Sequence, residues 1–286
     1  MTMRLLAGDF RGEVEASRAR MAAVVAVLNH PGHDQKSHGR KGSGGNTDLA
    51  RRERAVSDAA ASRVVSSREL GGGSTDATTR LEEHEGGTIV TKDFDDTHGY
   101  AADQVDAEVL GSKVAAAIGV AAPAVVQTSD TAIAMEHIPG KTGQDIYGEG
   151  GPPTAVVDSD QGRLMGVLDI VIANGDRHPG NTVIGDDGTI TAIDHSLSFD
   201  DLGDSALDWD TGTNSPFASH FVTRPEWSNE LTKNDMSPGD MAIIRTRLRA
   251  LGPDFRAAGR QEWFDGMMAR VDALAANATG ERSRLP

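Results

Sequence analysis

A long apolar run ends in a polar loop at residue 175, and the loop opens directly into a hairpin; no other stretch constrains the chain as much. The run is RLMGVLDIVIANG (163–175) and the loop is GDRHPGN (175–181). The hairpin strands TVI (182–184) and TITAID (189–194) flank Gly185-Asp186-Asp187-Gly188. A run of this length and apolarity predicts a buried helix. A Gly/Asp turn between β-branched runs predicts a tight hairpin. A hairpin brings its two ends together. Asn181, where the first strand starts, and Asp194, where the second ends, are therefore predicted to converge on one cation. Asp176 stands on the loop ahead of them, where a carboxylate can act as a base. Taken singly, each of these residues is a common turn or cap residue. Framed by a helix and a hairpin, they match what phosphoryl transfer from ATP requires. That reaction needs a carboxylate for the acceptor hydroxyl, oxygen ligands for Mg²⁺, a cation for the phosphates and a small loop over them.

The upstream half reads as a small sheet with one helix. Gly71 to Thr75 is a glycine-rich loop. Residues 77–84 and 88–94 are predicted strands about the turn Glu85-Gly86-Gly87. Val105, Val109, Val114 and Ile118 recur at helical spacing and predict a helix over 101–118, closed by Gly119. Residues 121–128 and 131–138 are two further strands about Ser129-Asp130. Downstream of the hairpin the chain turns helical. Ser237, Pro238 and Asp240 form a helix start, Gly252-Pro253 a stop, and residues 260–276 a last helix. The organisation predicted is an N-terminal helical segment (1–29), a flexible linker with a short helix (30–63) and a main domain (64–286). In the linker region helical periodicity returns over 49–68.

Charge narrows the partners. Lys and Arg number 28 against 43 Asp and Glu, for a formal net charge of −15. Such a chain is repelled by nucleic acid and by anionic lipid surfaces. Cysteine is absent, which excludes disulfides and thiolate metal sites. No apolar run is long enough for a membrane span, and the first residues lack the apolar core of a signal peptide; the expectation is a soluble cytoplasmic protein. His30, His33, His38 and Asp34 carry donor atoms for Zn²⁺ or Ni²⁺. Their segment, rich in Gly and basic residues, reads as a linker without a scaffold.

The order DRH, two residues, Asn181, a hairpin, then Ile193-Asp194-His195 resembles the catalytic and metal-binding loops of the protein-kinase-like superfamily. It is most similar to the phosphatidylinositol 3- and 4-kinase group and to bacterial kinases including the HipA-like toxins. The resemblance spans residues 70–200. It implies an α+β, two-lobed kinase-like fold, with a small N-terminal sheet lobe (about 64–140) and a mostly helical C-terminal lobe (about 141–286). It implies that Asp176 is the catalytic base, that His178 stabilises the transferring phosphoryl group, and that Asn181 and Asp194 bind Mg²⁺. Lys92 would hold the α- and β-phosphates of ATP with Glu108 as its partner. Gly72, Gly73, Ser74 and Thr75 would offer backbone N–H groups to the phosphates. Glu136, His137 and Ile138 resemble the hinge whose backbone bonds adenine. Two features depart from the common protein-kinase pattern: the glycine loop lacks GxGxxG spacing, and Asp194 is followed by His-Ser-Leu.

A hydroxyl-bearing protein or small molecule is the expected acceptor, ahead of a lipid. The acidic loop HSLSFDDLGDSALDWDTGTNSPF (195–217) is expected to favour a basic one. Two other classes share the pattern. One is an AMP-transferring enzyme on the same fold. The other is a non-catalytic phage structural module, a reading to which GHDQKSHGRKG (32–42) adds a resemblance to bacteriophage head-associated proteins of actinobacteria.

Overall fold

The structure is a computed structural model that describes residues 44–71, 77–199, 215–223, 230–231 and 234–286. Gly72, Gly73, Ser74 and Thr75, the linker histidines and most of the acidic loop after Asp194 lie outside the described residues.

The first lobe is built on a five-stranded antiparallel sheet. Its strands are β1 (Val64–Glu69), β2 (Ala77–His84), β3 (Gly87–Phe94), β4 (Val125–Ser129) and β5 (Ala132–Glu136). Their spatial order is β1-β2-β3-β5-β4, so β5 inserts between β3 and β4 and pairs Ile133 with Lys92. Helix α1 (Gly44–Ala60) precedes the sheet, and helix α2 (Ala101–Ile118) joins β3 to β4. Successive strand residues point to opposite faces, and the packing follows that rule. Phe94, Ile133 and Met135 pack with Ala101 and Val105 of α2. Ile89 and Ala134 pack on the other face with Leu49, Val56 and Ala59 of α1. Lys92 shares the α2 face with Phe94, which aims its ammonium between sheet and helix. Gly119 ends α2 in the left-handed region at φ 99°, where the absence of a Cβ removes the strain.

The helical periodicity expected to run to residue 68 stops at Ala60, and β1 follows. Val64 and Val65 are exposed on β1, which forms an edge of the sheet. Without a buried face, β1 carries none of the alternation that marks a strand in sequence. Helix α1 packs on the lobe that was expected to begin after it. Arg52 of α1 also donates to Glu136, through Nε at 2.9 Å and through Nη2. A chain beginning at residue 64 would lose burial of Leu49 and Val56, each worth roughly 1.5–3 kcal/mol. Urea denaturation of that chain is expected to show a midpoint well below that of the full chain. Equal midpoints would mean that α1 adds nothing to the lobe.

The second lobe forms around α5 (Asp160–Val171), the helix predicted from the apolar run. Ser159 caps it by accepting the Gly162 N–H. Every residue of α5 from Gly162 to Val171 is buried. A three-stranded sheet, β6 (Lys141–Thr142), β7 (Thr182–Ile184) and β8 (Ile190–Ala192), includes the predicted hairpin. Short helices α3 (Gly143–Tyr147) and α4 (Thr154–Val157) precede α5. Thr142 and Asp145 form a reciprocal capping box on α3. A short ribbon of β9 (Val222–Thr223) and β10 (Glu230–Leu231) follows. The tail holds α6 (Pro238–Arg249), α7 (Gly252–Ala257) and α8 (Gln261–Ala276). Ser237 caps α6 as predicted. Gly252-Pro253 does more than stop α6: it opens α7, since Pro fits the first turn of a helix. Phe199, just after the hairpin, stacks on Trp263 at 5.1 Å and meets Phe255 edge-on at 5.7 Å. These contacts tie the segment after Asp194 to the helical tail. Among the described residues, no helix is long and apolar enough to cross a membrane.

Candidate active site

The site lies where the α2 face of the first lobe meets the hairpin of the second. Lys92 Nζ donates to Glu108 Oε1 at 3.0 Å and to Asp194 Oδ1 at 2.8 Å. Lys92 and Glu108 are both buried. Burial alone would lower the Lys92 ammonium, but the carboxylates of Glu108 and Asp194 outweigh it and raise the group above the usual lysine range. Burial alone would raise the Asp194 carboxyl. The Lys92 ammonium and the Ser196 hydroxyl, which donates at 2.7 Å, hold it well below the usual carboxylate range. Burial pushes the Glu108 carboxyl up, with the Lys92 ammonium opposing. Asp194 itself sits in the left-handed region at φ 56°, a conformation that Asp tolerates better than most residues.

Hydrogen bonds tie the loop from Asp176 to Asn181 to the base of the hairpin. The Ile193 N–H donates to the Asn181 carbonyl at 3.1 Å, closing the mouth of the hairpin. Asn181 Nδ2 donates to the Asp176 carbonyl at 2.7 Å and approaches Asp176 Oδ2 at 3.4 Å. The Asp176 N–H is held by Asn174 Oδ1 at 2.8 Å. His178 is half exposed beside Asp176, with Nε2 3.9 Å from Asp176 Oδ2. Its Nδ1 accepts the Gly180 N–H at 3.0 Å, which leaves the ring proton on Nε2, the nitrogen nearer Asp176.

The hinge residues are placed less simply. Glu136 ends β5, and its carboxylate is taken by Arg52 and by the Ala124 N–H. Its own N–H donates to the Ala124 carbonyl at 2.9 Å. His137 is exposed and Ile138 half-buried where the chain leaves the sheet.

Mg²⁺ characteristically keeps several waters and takes one or two protein ligands plus phosphate oxygens. Among the described residues, nothing donates to Asn181 Oδ1 or to Asp194 Oδ2. Asn181 spends its amide nitrogen on Asp176, which fixes where its oxygen points. The donor set therefore fits Mg²⁺ arriving with a nucleotide. No group of three or more His, Asp or Glu among the described residues could hold a metal unaided.

Four further residues complete the site. Arg177, fully buried, donates through Nε to Asp169 Oδ1 at 3.0 Å and through Nη2 to His195 Nδ1 at 3.1 Å. Asp169 Oδ2 accepts from Ser215 Oγ at 2.6 Å, and the His195 N–H donates to Glu108 Oε2 at 3.0 Å. The sequence did carry a signal for Asp169, a lone carboxylate inside an apolar helix. Such a residue needs a buried partner, and Arg177 is eight positions on.

The His195 ring offers a test of this packing. Burial drives its pKa down to about 3, and the Arg177 guanidinium acts in the same direction. A free histidine titrates near 6.5, so between those values the unfolded chain binds the extra proton. The contribution of His195 to stability is full above about pH 6.5 and falls by roughly 1.4 kcal/mol per unit below it. Urea denaturation between pH 7 and 5 is expected to be steeper in pH for the native chain than for His195→Asn. Equal slopes would remove the buried neutral imidazole.

A sheet lobe with its lysine–glutamate pair, set against a helical lobe whose hairpin holds Asn181 and Asp194, defines an α+β, kinase-like fold. Residues 160–219 match the family model for phosphatidylinositol 3- and 4-kinase, in line with the resemblance read from the sequence. No curated protein matches the sequence. Among solved structures, a Helicobacter pylori proinflammatory kinase, CtkA, superposes with a TM-score of 0.46 at 10% identity, over 73% of this chain and 91% of that one. Aminoglycoside phosphotransferase APH(4)-Ia, in a ternary complex with ADP and hygromycin B, gives a TM-score of 0.32 at 11% identity, over 80% of this chain and 99% of that one. Superpositions this loose say nothing about the substrate.

Proposed function

We propose that the chain is a phosphotransferase that uses Mg-ATP and moves the γ-phosphoryl group to a hydroxyl. The observation that carries this reading is the Lys92 ammonium, held at once by Glu108 and Asp194 beside the Asp176–Asn181 loop. In this reading Lys92 binds the α- and β-phosphates, and Glu108 keeps it in place. Asn181 Oδ1 and Asp194 hold Mg²⁺, which neutralises phosphate charge when bound. Asp176 accepts a hydrogen bond from the acceptor hydroxyl. It takes that proton as the new O–P bond forms and the bond to the ADP oxygen breaks. His178, with its proton on Nε2, donates to the transferring group. The backbone of Glu136, His137 and Ile138 receives adenine, and Gly72 to Thr75 cover the phosphates.

A net charge of −15 disfavours an anionic lipid surface. A protein hydroxyl or a small hydroxylated molecule in the cytoplasm is the favoured acceptor. The test is incubation with Mg²⁺, a bacterial lysate and ATP labelled at either the γ- or the α-phosphate. Label from the γ-position alone should appear on the acceptor. Label from the α-position would make the enzyme an AMP transferase. A chain that binds no nucleotide in calorimetry would be a non-catalytic module.

A further inference from the structure

We propose that Arg177 and His195 are a positioning pair, a buried relay that fixes the separation of Asn181 and Asp194 and makes it depend on the placement of helix α2. The proposal rests on the reading of Asn181 and Asp194 as the metal-binding pair.

Each nitrogen of the Arg177 guanidinium is engaged. Nε binds Asp169 of α5. Nη1 donates to two carbonyls, that of Asn181 at 2.7 Å and that of Ile193. Those carbonyls belong to the two ends of the hairpin, and Ile193 directly precedes Asp194. One nitrogen therefore spans the gap between the two metal-binding residues. Nη2 carries the relay onward to His195 Nδ1. His195 passes it to the first lobe by donating its backbone N–H to Glu108 Oε2. The other oxygen of Glu108 holds Lys92, and Lys92 holds Asp194. The path thus closes on itself: Asp194, Lys92, Glu108, His195, and back to Asp194 through the chain.

The hydrogen bonding of the ring assigns the first role to an imidazole nitrogen rather than to bulk. A guanidinium only donates, so Nδ1 must be the bare acceptor and the ring proton sits on Nε2. That Nε2 is buried with no hydrogen-bond partner. An apolar side chain of similar size would carry no such orphan donor, so what the histidine adds is its Nδ1. The coupling to α2 rests on a separate, steric contact with Gly111. A Cβ there would lie 2.7 Å from His195 Cβ, so the helix backbone rests against the side chain at a distance only glycine permits. A shift of α2 is therefore felt at His195 directly.

The test compares His195→Leu, which removes the acceptor, with His195→Asn, whose side-chain oxygen can stand near the position of Nδ1. ATP binding is measured by calorimetry in EDTA and again across a Mg²⁺ titration, with turnover followed in parallel. The Leu variant is expected to bind metal-free ATP within threefold of wild type. It should need at least tenfold more Mg²⁺ for half-maximal binding and turnover. His195→Asn should bring the Mg²⁺ midpoint back to within threefold. A residue that served only to hold the fold would lower stability and yield with the Mg²⁺ midpoint unmoved, and that result overturns the proposal. Should His195→Leu fail to fold, Gly111→Ala pushes the ring without deleting the acceptor. The Mg²⁺ midpoint must then rise, and an unshifted one counts against the relay. Wild-type protein that binds no Mg-ATP would instead sink the reading of the site, and the relay with it.

Discussion

Asp194→Ala is expected to abolish ATP turnover and leave the fold standing. Asp194 Oδ1 accepts from Lys92 and Ser196, and among the described residues nothing donates to its Oδ2. In the proposed reading, removing the carboxylate deletes a metal ligand at the point where phosphate charge must be neutralised. Loss of a single preorganised electrostatic partner typically costs about 10²–10³ in rate; on the proposed reading a metal ligand is lost as well, so a fall of at least roughly a thousandfold is expected. The fold survives for a specific reason. Lys92 keeps Glu108 at 3.0 Å, so the buried ammonium is not left without a counter-charge. Alanine at φ 56° adds a left-handed strain of roughly 1–2 kcal/mol, which thermal denaturation should register as a modest loss. Phosphate release assays on the folded variant provide the check, and normal kinetics would refute the metal assignment.

Asp176→Asn should separate binding from transfer. The substitution keeps size and hydrogen bonding but removes charge and basicity. The loop is held by the backbone of residue 176, through Asn174 Oδ1 and Asn181 Nδ2, and both contacts survive the change. Mg-ATP binding by calorimetry should therefore match wild type, since Lys92, Asn181 and Asp194 are untouched. Transfer of the γ-label should fall by about 10²–10⁴, the usual range for loss of a general base. If wild type and variant bind ATP equally and neither transfers label, the chain is a pseudokinase. If the variant retains full transfer, Asp176 is not the base.

The parts of the molecule that could be read from sequence are those whose signal is local. Strand β2, helix α2 with its Gly119 stop, the hairpin and the Ser237 cap each depend on residues within a few positions of one another. The pairing of the strand after Asn181 with the strand before Asp194 was likewise a local fact. What escaped is long-range or unpatterned. Strand β1 has no buried face to impose a period. Ser215 meets Asp169 across 46 positions, and Arg52 meets Glu136 across 84. Only the fold pairs such residues. His195 was visible as a letter in a motif. Its bond to Arg177 forms across the hairpin and its contact with Gly111 across the two lobes, and no spacing encodes either.

The grip of Arg52 on Glu136 also bears on how the chain is made. A ribosome adds roughly 5–20 residues per second, so the 84 positions between them take roughly 4–17 s to synthesise. For that time α1 is outside the ribosome while β5, which contributes Ala134 to the surface Leu49, Val56 and Ala59 cover, has not yet emerged. The first lobe closes only after its last strand leaves the exit tunnel, and until then the apolar stripe of α1 is open to whatever binds nascent chains.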